Sequence, residues 1–224
     1  MTPNTKSVAF FGASTGVGLA TLKHTLAAGH KCIALCRDPS KLTGVFPSGS
    51  TPNLKVIKGN AHDISAVSQC IQTDDGRIVD VIVSTIGARP RGMTVDDPDV
   101  CKKGAATLLD SLAQLRSTGI TGTPHIIGCS TTGFSRFGRD VPIAMVPIYY
   151  LFSGEAFTII RASHLVDGES NKAIRVGIED PKTGPESRAI GYTISREDAG
   201  RWLAENLVLK MDAKFLNKNV TVTY

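Results

Sequence analysis

The 224-residue sequence predicts a single doubly wound α/β domain on a parallel sheet, and three observations predict it. Short β-branched runs alternate along the chain with stretches of helical periodicity. The runs are almost continuously apolar, as strands are when helices cover both faces of their sheet. The first run is followed at once by Gly12, Gly16 and Gly18 and then by a helical pattern, which is the punctuation of a ligand-binding strand-turn-helix unit.

The strands are expected at Ser7 to Phe11, Lys31 to Leu35, Leu54 to Ile57, Val79 to Ser84, His125 to Gly128 and Phe157 to Ile160. The helices are expected at about Gly16 to Ala28, Ile64 to Gln72, Pro98 to Arg116 and Arg196 to Leu209. Residues 1–224 are read as one dinucleotide-binding domain, with 129–156 and 161–195 as substrate-side loops that make a small C-terminal region. "SRED", Ser195 to Asp198, fits a helix-capping box, a structural role.

Composition sets the broad class. A hydrophobic content of 42% is enough for a sizeable core. The polar start carries no signal-peptide pattern and no apolar run nears the length of a membrane helix, so a soluble chain without membrane contact is expected. Five cysteines, Cys32, Cys36, Cys70, Cys101 and Cys129, are scattered without metal-type spacing. They read as reduced, mostly buried thiols of a cytoplasmic protein, with no metal site. The net charge of +5 is spread rather than clustered, which argues against nucleic acid and suits an anionic cofactor. A small-molecule substrate is expected; a homo-oligomer is left open.

The glycine turn points to the ligand. Backbone amides and a helix dipole converge there on an anion, and glycine lets the chain approach a pyrophosphate. Gly12, Ser14, Thr15, Gly16, Val17 and Gly18 are therefore candidate cofactor contacts; a merely structural turn is the alternative. At the end of the second strand, where an NAD-preferring chain usually carries Asp or Glu, this one has Cys36 and Arg37, with Lys41 beyond. A guanidinium there suits the 2′-phosphate of NADP, unless Arg37 is simply paired with Asp38.

"GASTGVG", "CRDPSKL", "GNAHD" and "VSTIGA" together resemble the atypical short-chain dehydrogenase/reductase family, in its NmrA-like and biliverdin-reductase-like branch. The resemblance covers nearly the whole chain and implies a Rossmann fold, with Asn60 near the adenine and Ser84, Thr85, Ile86 and Gly87 lining the cofactor. It also implies that Ser130 and Thr131, at the carboxyl end of the fifth strand, border the nicotinamide. "GESNKAIRVGIEDPKTG" and "AIGYTISREDAGRW" look like fungal pathway reductases of this branch. Some of these reduce an iminium-type intermediate and guide an intramolecular Diels–Alder cyclisation.

The catalytic half departs from the wider family pattern, in which a Tyr is followed four residues later by a Lys that lowers its pKa. Here Tyr149 is followed by Ser153 and Tyr150 by Gly154. Three explanations stay open. The substrate is already cationic and needs a carboxylate more than an acid, which makes Arg139 and Asp140 in "RFGRDVPIAMVP" candidates, against a plain surface ion pair. The protein binds NADP as a regulator without turnover. Or residues are missing between Tyr149 and Ser153, since "IYYLFSGEA" is too short for the helix of a parallel crossover. Tyr149 is a candidate proton donor or stacking ring, and Phe134, Phe137, Met145 and Tyr149 are candidate apolar walls. His24, His30, His62 and His125 read as capping or core residues, and His164 as a residue that could face the pocket.

Overall fold

Val8 and Phe10 fall in one apolar core and Ala9 and Phe11 in another, and all four are buried. With side chains alternating across a strand, this one must be covered on both faces. The computed structural model describes residues 5–47, 51–88, 90–91, 94–132 and 155–224. In chain order these form β1 (Ser7–Phe11), α1 (Gly16–Ala27), β2 (Lys31–Cys36), α2 (Ser40–Thr43), β3 (Leu54–Lys58), α3 (Ile64–Ile71) and β4 (Val81–Ser84). There follow β5 (Pro90–Arg91), β6 (Thr94–Val95), α4 (Val100–Ser117), β7 (His125–Thr131), β8 (Phe157–Ala162), β9 (His164–Val166), β10 (Arg175–Asp180) and β11 (Gly184–Ser187). The chain ends with β12 (Thr193–Ser195), α5 (Arg196–Leu203), a π-helical continuation (Ala204–Leu209), a 3₁₀ turn (Ala213–Phe215) and β13 (Lys218–Thr223).

The nine-stranded sheet runs β11-β10-β13-β8-β7-β4-β1-β2-β3. All neighbours from β13 to β3 are parallel, and β10 and β11 are antiparallel additions at the far edge. One core lies under α1 and α5 and contains Phe10, Leu22, Trp202 and Val220. The other lies under α3 and α4 and contains Phe11, Ile71, Ile82, Leu112 and Ile126. The doubly wound parallel architecture expected from the sequence is therefore present.

The chain winds from β1 out to β3, then crosses back to β4 on the other side of β1. Such a switch point opens a crevice at the carboxyl ends of its two strands. Asp80 closes the opposite end by accepting hydrogen bonds from the Ser7 amide and hydroxyl, at 2.7 and 2.8 Å.

The segment 161–195, expected to be substrate-side loops, carries strands β9 to β12 as well as the end of β8. β10 joins the main sheet, while β9 and β12 form a separate parallel pair in which His164, Leu165 and Val166 face Thr193, Ile194 and Ser195. The alternation of β10, "RVGIED", is masked by its charges and Gly177, as befits a strand near an edge. β13, "KNVTVT", lies inside the sheet and supplies Val220 and Val222 to the core. Most of the crossover from β7 to β8, including "RFGRDVPIAMVP" and Tyr149 to Ser153, lies outside the described residues.

Candidate functional site

Gly12 follows β1 directly, with φ +86, a conformation that side chains disfavour. Its neighbour across the crevice is Thr85, which follows β4. Thr85 donates its amide to the Phe11 carbonyl at 2.9 Å and reaches the Phe11 and Gly12 carbonyls with its hydroxyl, both at 3.2 Å. A Cβ on Gly12 would lie 2.8 Å from the Thr85 backbone, and one on Gly18 would lie 2.3 Å from the Thr85 hydroxyl. Glycine is thus required at both places to let the turn, α1 and the residues after β4 close on one another.

Thr15, which precedes α1, makes no side-chain hydrogen bond to the first-turn amides, and that turn holds no acidic side chain. In contrast, Asp63 accepts from the Ser65 and Ala66 amides to cap α3, and Ser195 accepts from the Asp198 amide to cap α5. The start of α1 is left with its donors and positive dipole end for an external anion.

A cavity of about 830 Å³ runs along this turn. Gly12, Ser14, Thr15, Gly16, Val17 and Gly18 line its floor, Arg37 follows β2, Lys41 lies on α2, and Asn60 and His62 follow β3. Thr85, Ile86 and Gly87 line it from β4. The Asp38 carboxylate is held by Ser40, from the hydroxyl at 2.6 Å and the amide at 3.2 Å. These bonds, ahead of Lys41 and Lys58 nearby, keep Asp38 below the usual carboxylate range. Arg37 forms no salt bridge with any described residue, so the alternative pairing of Arg37 with Asp38 is absent.

A second cavity of about 420 Å³ adjoins the first. Ser84, Ser130, Thr131, Cys101, Gly104, Leu108 and Ile159 line it, and it shares Phe11, Ala61, Thr85, Ile86, Gly87, Ala88, Cys129 and Leu165 with the groove. Ser84, Ser130 and Thr131 therefore stand in the apolar cavity rather than in the groove. Among the described residues its lining has no Asp, Glu, His, Lys, Arg or Tyr. Burial pushes the Cys129 thiol up to about 12, helped by Cys101 nearby, which is also raised by burial. Both thiols stay protonated at neutral pH and act as apolar wall.

His164 lies exposed on β9 and does not line either cavity. Its neighbour Leu165 does. His125 and His30 are buried structural residues, and His24 pairs with Glu197 at 3.3 Å. Arg139, Asp140 and Tyr149, with Phe134, Phe137 and Met145, lie outside the described residues. No group of three His, Cys, Asp or Glu among the described residues could hold a metal ion, and no helix there is long and apolar enough to cross a membrane.

Several groove residues were missed, among them His62, Asp96, Asp97 and Arg196. Arg196 enters the dinucleotide groove from the start of α5. The sequence shows it only as part of a capping box, because nothing in the spacing relates residue 196 to residue 16.

A groove under a glycine turn, at the switch point of a parallel sheet and with an uncapped helix start, defines a dinucleotide-binding Rossmann domain. The NAD(P)H-binding family model matches residues 12–208. The reductase pytE of Aspergillus terreus is 36% identical over 271 aligned positions, covering 100% of each chain. That alignment is longer than the 224 residues of this chain, so the relative carries residues that this chain lacks. The oxidase pynE of Aspergillus niger is 26% identical, covering 97% of this chain and 98% of its own. Among solved structures, the anaerobillin reductase ChuY of Escherichia coli superposes with a TM-score of 0.67 at 19% identity, over 97% of this chain and 96% of that one. The chain belongs to the NAD(P)H-binding family, and its fold is that of the short-chain dehydrogenase/reductase structures it superposes on.

Proposed function

We propose that the chain is an NADP-dependent reductase of a fungal biosynthetic pathway that acts on a bulky, largely apolar imine, iminium or carbonyl intermediate. The observation that carries this reading is the shared wall: a polar groove fit for a dinucleotide opens through Thr85 to Ala88 and Cys129 into an apolar cavity. Cavities of this size with apolar linings suit small organic ligands. The similarity to a reductase along the full chain supports the same conclusion.

When bound, a reduced nicotinamide supplies a hydride. The chain's own residues do the rest. Arg37 and Lys41 hold the 2′-phosphate, Asn60 borders the adenine, and the start of α1 meets the diphosphate. Ile86, Leu108, Ile159 and the two thiols exclude water from the acceptor. Since Tyr149 and Tyr150 lack a Lys four residues on, an acceptor that already carries positive charge suits this site better than a neutral imine or carbonyl. Asp140 is the proposed carboxylate that stabilises it, with Arg139 beside it. An apolar cavity that holds a folded substrate would also suit an intramolecular Diels–Alder step.

The test is to follow NADPH consumption against a panel of cyclic imines and carbonyls. Asp140→Ala should lower turnover about 10–1000-fold with NADPH affinity within about twofold, while Tyr149→Phe costs much less. The reverse ranking would mean that the tyrosine works as an acid without its lysine. The second reading is an NADP-binding regulator without turnover; Ile190 and Tyr192, 77% and 90% exposed on one loop, favour it as a docking patch. NADPH binding with no consumption across the panel would support it.

A further inference from the structure

Arg196 is a cation at the first position of α5, the end of a helix where positive charge is disfavoured. Its placement is fixed by packing. Gly200, one turn on, lies so close to α1 that a Cβ there would be 2.4 Å from the Ala20 Cβ and 2.7 Å from the Val17 carbonyl. The Thr21 hydroxyl adds a hydrogen bond to the Gly200 carbonyl at 3.2 Å. With α5 pinned to the first half of α1, the Arg196 side chain lies across the glycine turn: a Cβ on Gly16 would be 3.4 Å from its Cδ and 3.9 Å from its Nε.

The guanidinium donates to Asp167 at 2.6 Å, and that carboxylate is 90% exposed. Such a pair is weakly held in water. Asp167 follows β9 and Ser195, the residue before Arg196, ends β12, so the pair sits between the β9–β12 ribbon and the groove. The other acidic residues of the first turn are engaged elsewhere: Glu197 with His24, and Asp198 with Arg201, Ser195, Tyr224 and the Ser170 amide.

We propose that Arg196 is a diphosphate clamp, which leaves Asp167 and closes over the dinucleotide's diphosphate when the cofactor enters. It would add a forked, charge-assisted contact to the uncapped start of α1 and draw the β9–β12 ribbon, with the cavity-lining Leu165, onto the bound cofactor. The proposal rests on the dinucleotide lying in the groove as described above. It assigns the cofactor's two phosphate sites to different cations: Arg37 to the 2′-phosphate on the adenosine ribose and Arg196 to the bridging diphosphate.

Calorimetric titration of the full chain with NADP⁺ and with adenosine 2′-monophosphate, which lacks the diphosphate, separates these roles. Arg196→Ala should weaken NADP⁺ binding about 10–100-fold and leave the monophosphate within about twofold. Arg196→Lys should restore part of the loss, and Asp167→Asn, which removes the competing carboxylate, should tighten NADP⁺ a few-fold. A thermal melt of each variant shows whether α5 is intact. Unchanged NADP⁺ affinity in Arg196→Ala, an equal loss for both ligands, or weaker binding in Asp167→Asn would overturn the clamp. Failure of the unaltered chain to bind either ligand would instead overturn the placement of the cofactor on which the clamp depends.

Discussion

Arg37 and Gly12 carry the cofactor reading at the scale of single residues. With Asp38 engaged by Ser40, the Arg37 guanidinium has no ion-pair partner among the described residues at the end of β2. Replacing it with alanine should weaken NADPH binding by about 1–3 kcal/mol, the worth of a charged hydrogen bond, and leave NADH almost unchanged. A fluorescence titration with both cofactors checks this; equal losses would remove Arg37 from the 2′-phosphate. Gly12 shows how contacts change an expectation drawn from the turn alone. The turn suggests that a side chain at Gly12 would obstruct the phosphates and spare the fold. The Cβ would in fact meet the Thr85 backbone, at a positive φ. Gly12→Val should therefore lose cofactor binding and also about 2–4 kcal/mol of stability, seen as a lower melting temperature without ligand.

Helices and strands show where sequence patterns are readable. β1, β2, β3, β4, β7 and β8 were legible because apolar, β-branched runs are needed wherever both faces of a sheet are covered. β13 was not, although its Val220 and Val222 alternate with Thr221 and Thr223, because Lys218 and Asn219 open it with polar side chains. The buried Asn219 donates to Glu179, which also accepts from Arg161, a polar cluster that no local pattern announces. α5 was foreseen with its cap, yet the reach of Asp198 was not. Burial alone would raise this carboxyl, but hydrogen bonds from Tyr224, Arg201, Ser195 and Ser170 outweigh it and hold it near 2. These bonds tie the loop after β9, the start of α5 and the C-terminus together.

β7 carries a pH prediction. The Thr158 hydroxyl donates to the Phe215 carbonyl at 2.7 Å, so His125 must donate Nε2–H to it at 2.9 Å, which leaves a buried, unprotonated Nδ1 without a partner among the described residues. Burial, reinforced by Lys6, drops the His125 pKa to about 4. The unfolded chain takes up a proton near pH 6.5 and the folded chain does not until about pH 4. Stability should therefore fall as pH drops through that window, by up to about 1.4 kcal/mol per unit from this group. Urea unfolding across the range checks it; a His125→Asn variant should lose this part of the slope.

For the whole molecule, the switch point is what makes the site. It was legible as a rhythm of strands and helices with a glycine turn, and so were the groove contacts carried on the turn and at the ends of β2, β3 and β4. The apolar cavity was not legible, since Cys101 and Leu108 of α4, Ile159 of β8 and Leu165 of β9 come together only through the order of the sheet. Arg196 was hidden for the same reason.

The central claim is that a cofactor in the groove reduces a molecule in the adjoining cavity. Cys101 lines the cavity and does not line the groove. The most direct measurement compares Cys101→Phe with the unaltered chain, taking NADPH affinity and the rate of NADPH consumption with the best bulky acceptor of the panel. The expected result is affinity within about twofold and consumption reduced about 100-fold, because the ring displaces the acceptor from reach of the hydride. Consumption at the unaltered rate, or affinity lost in step with it, would contradict the two-cavity site.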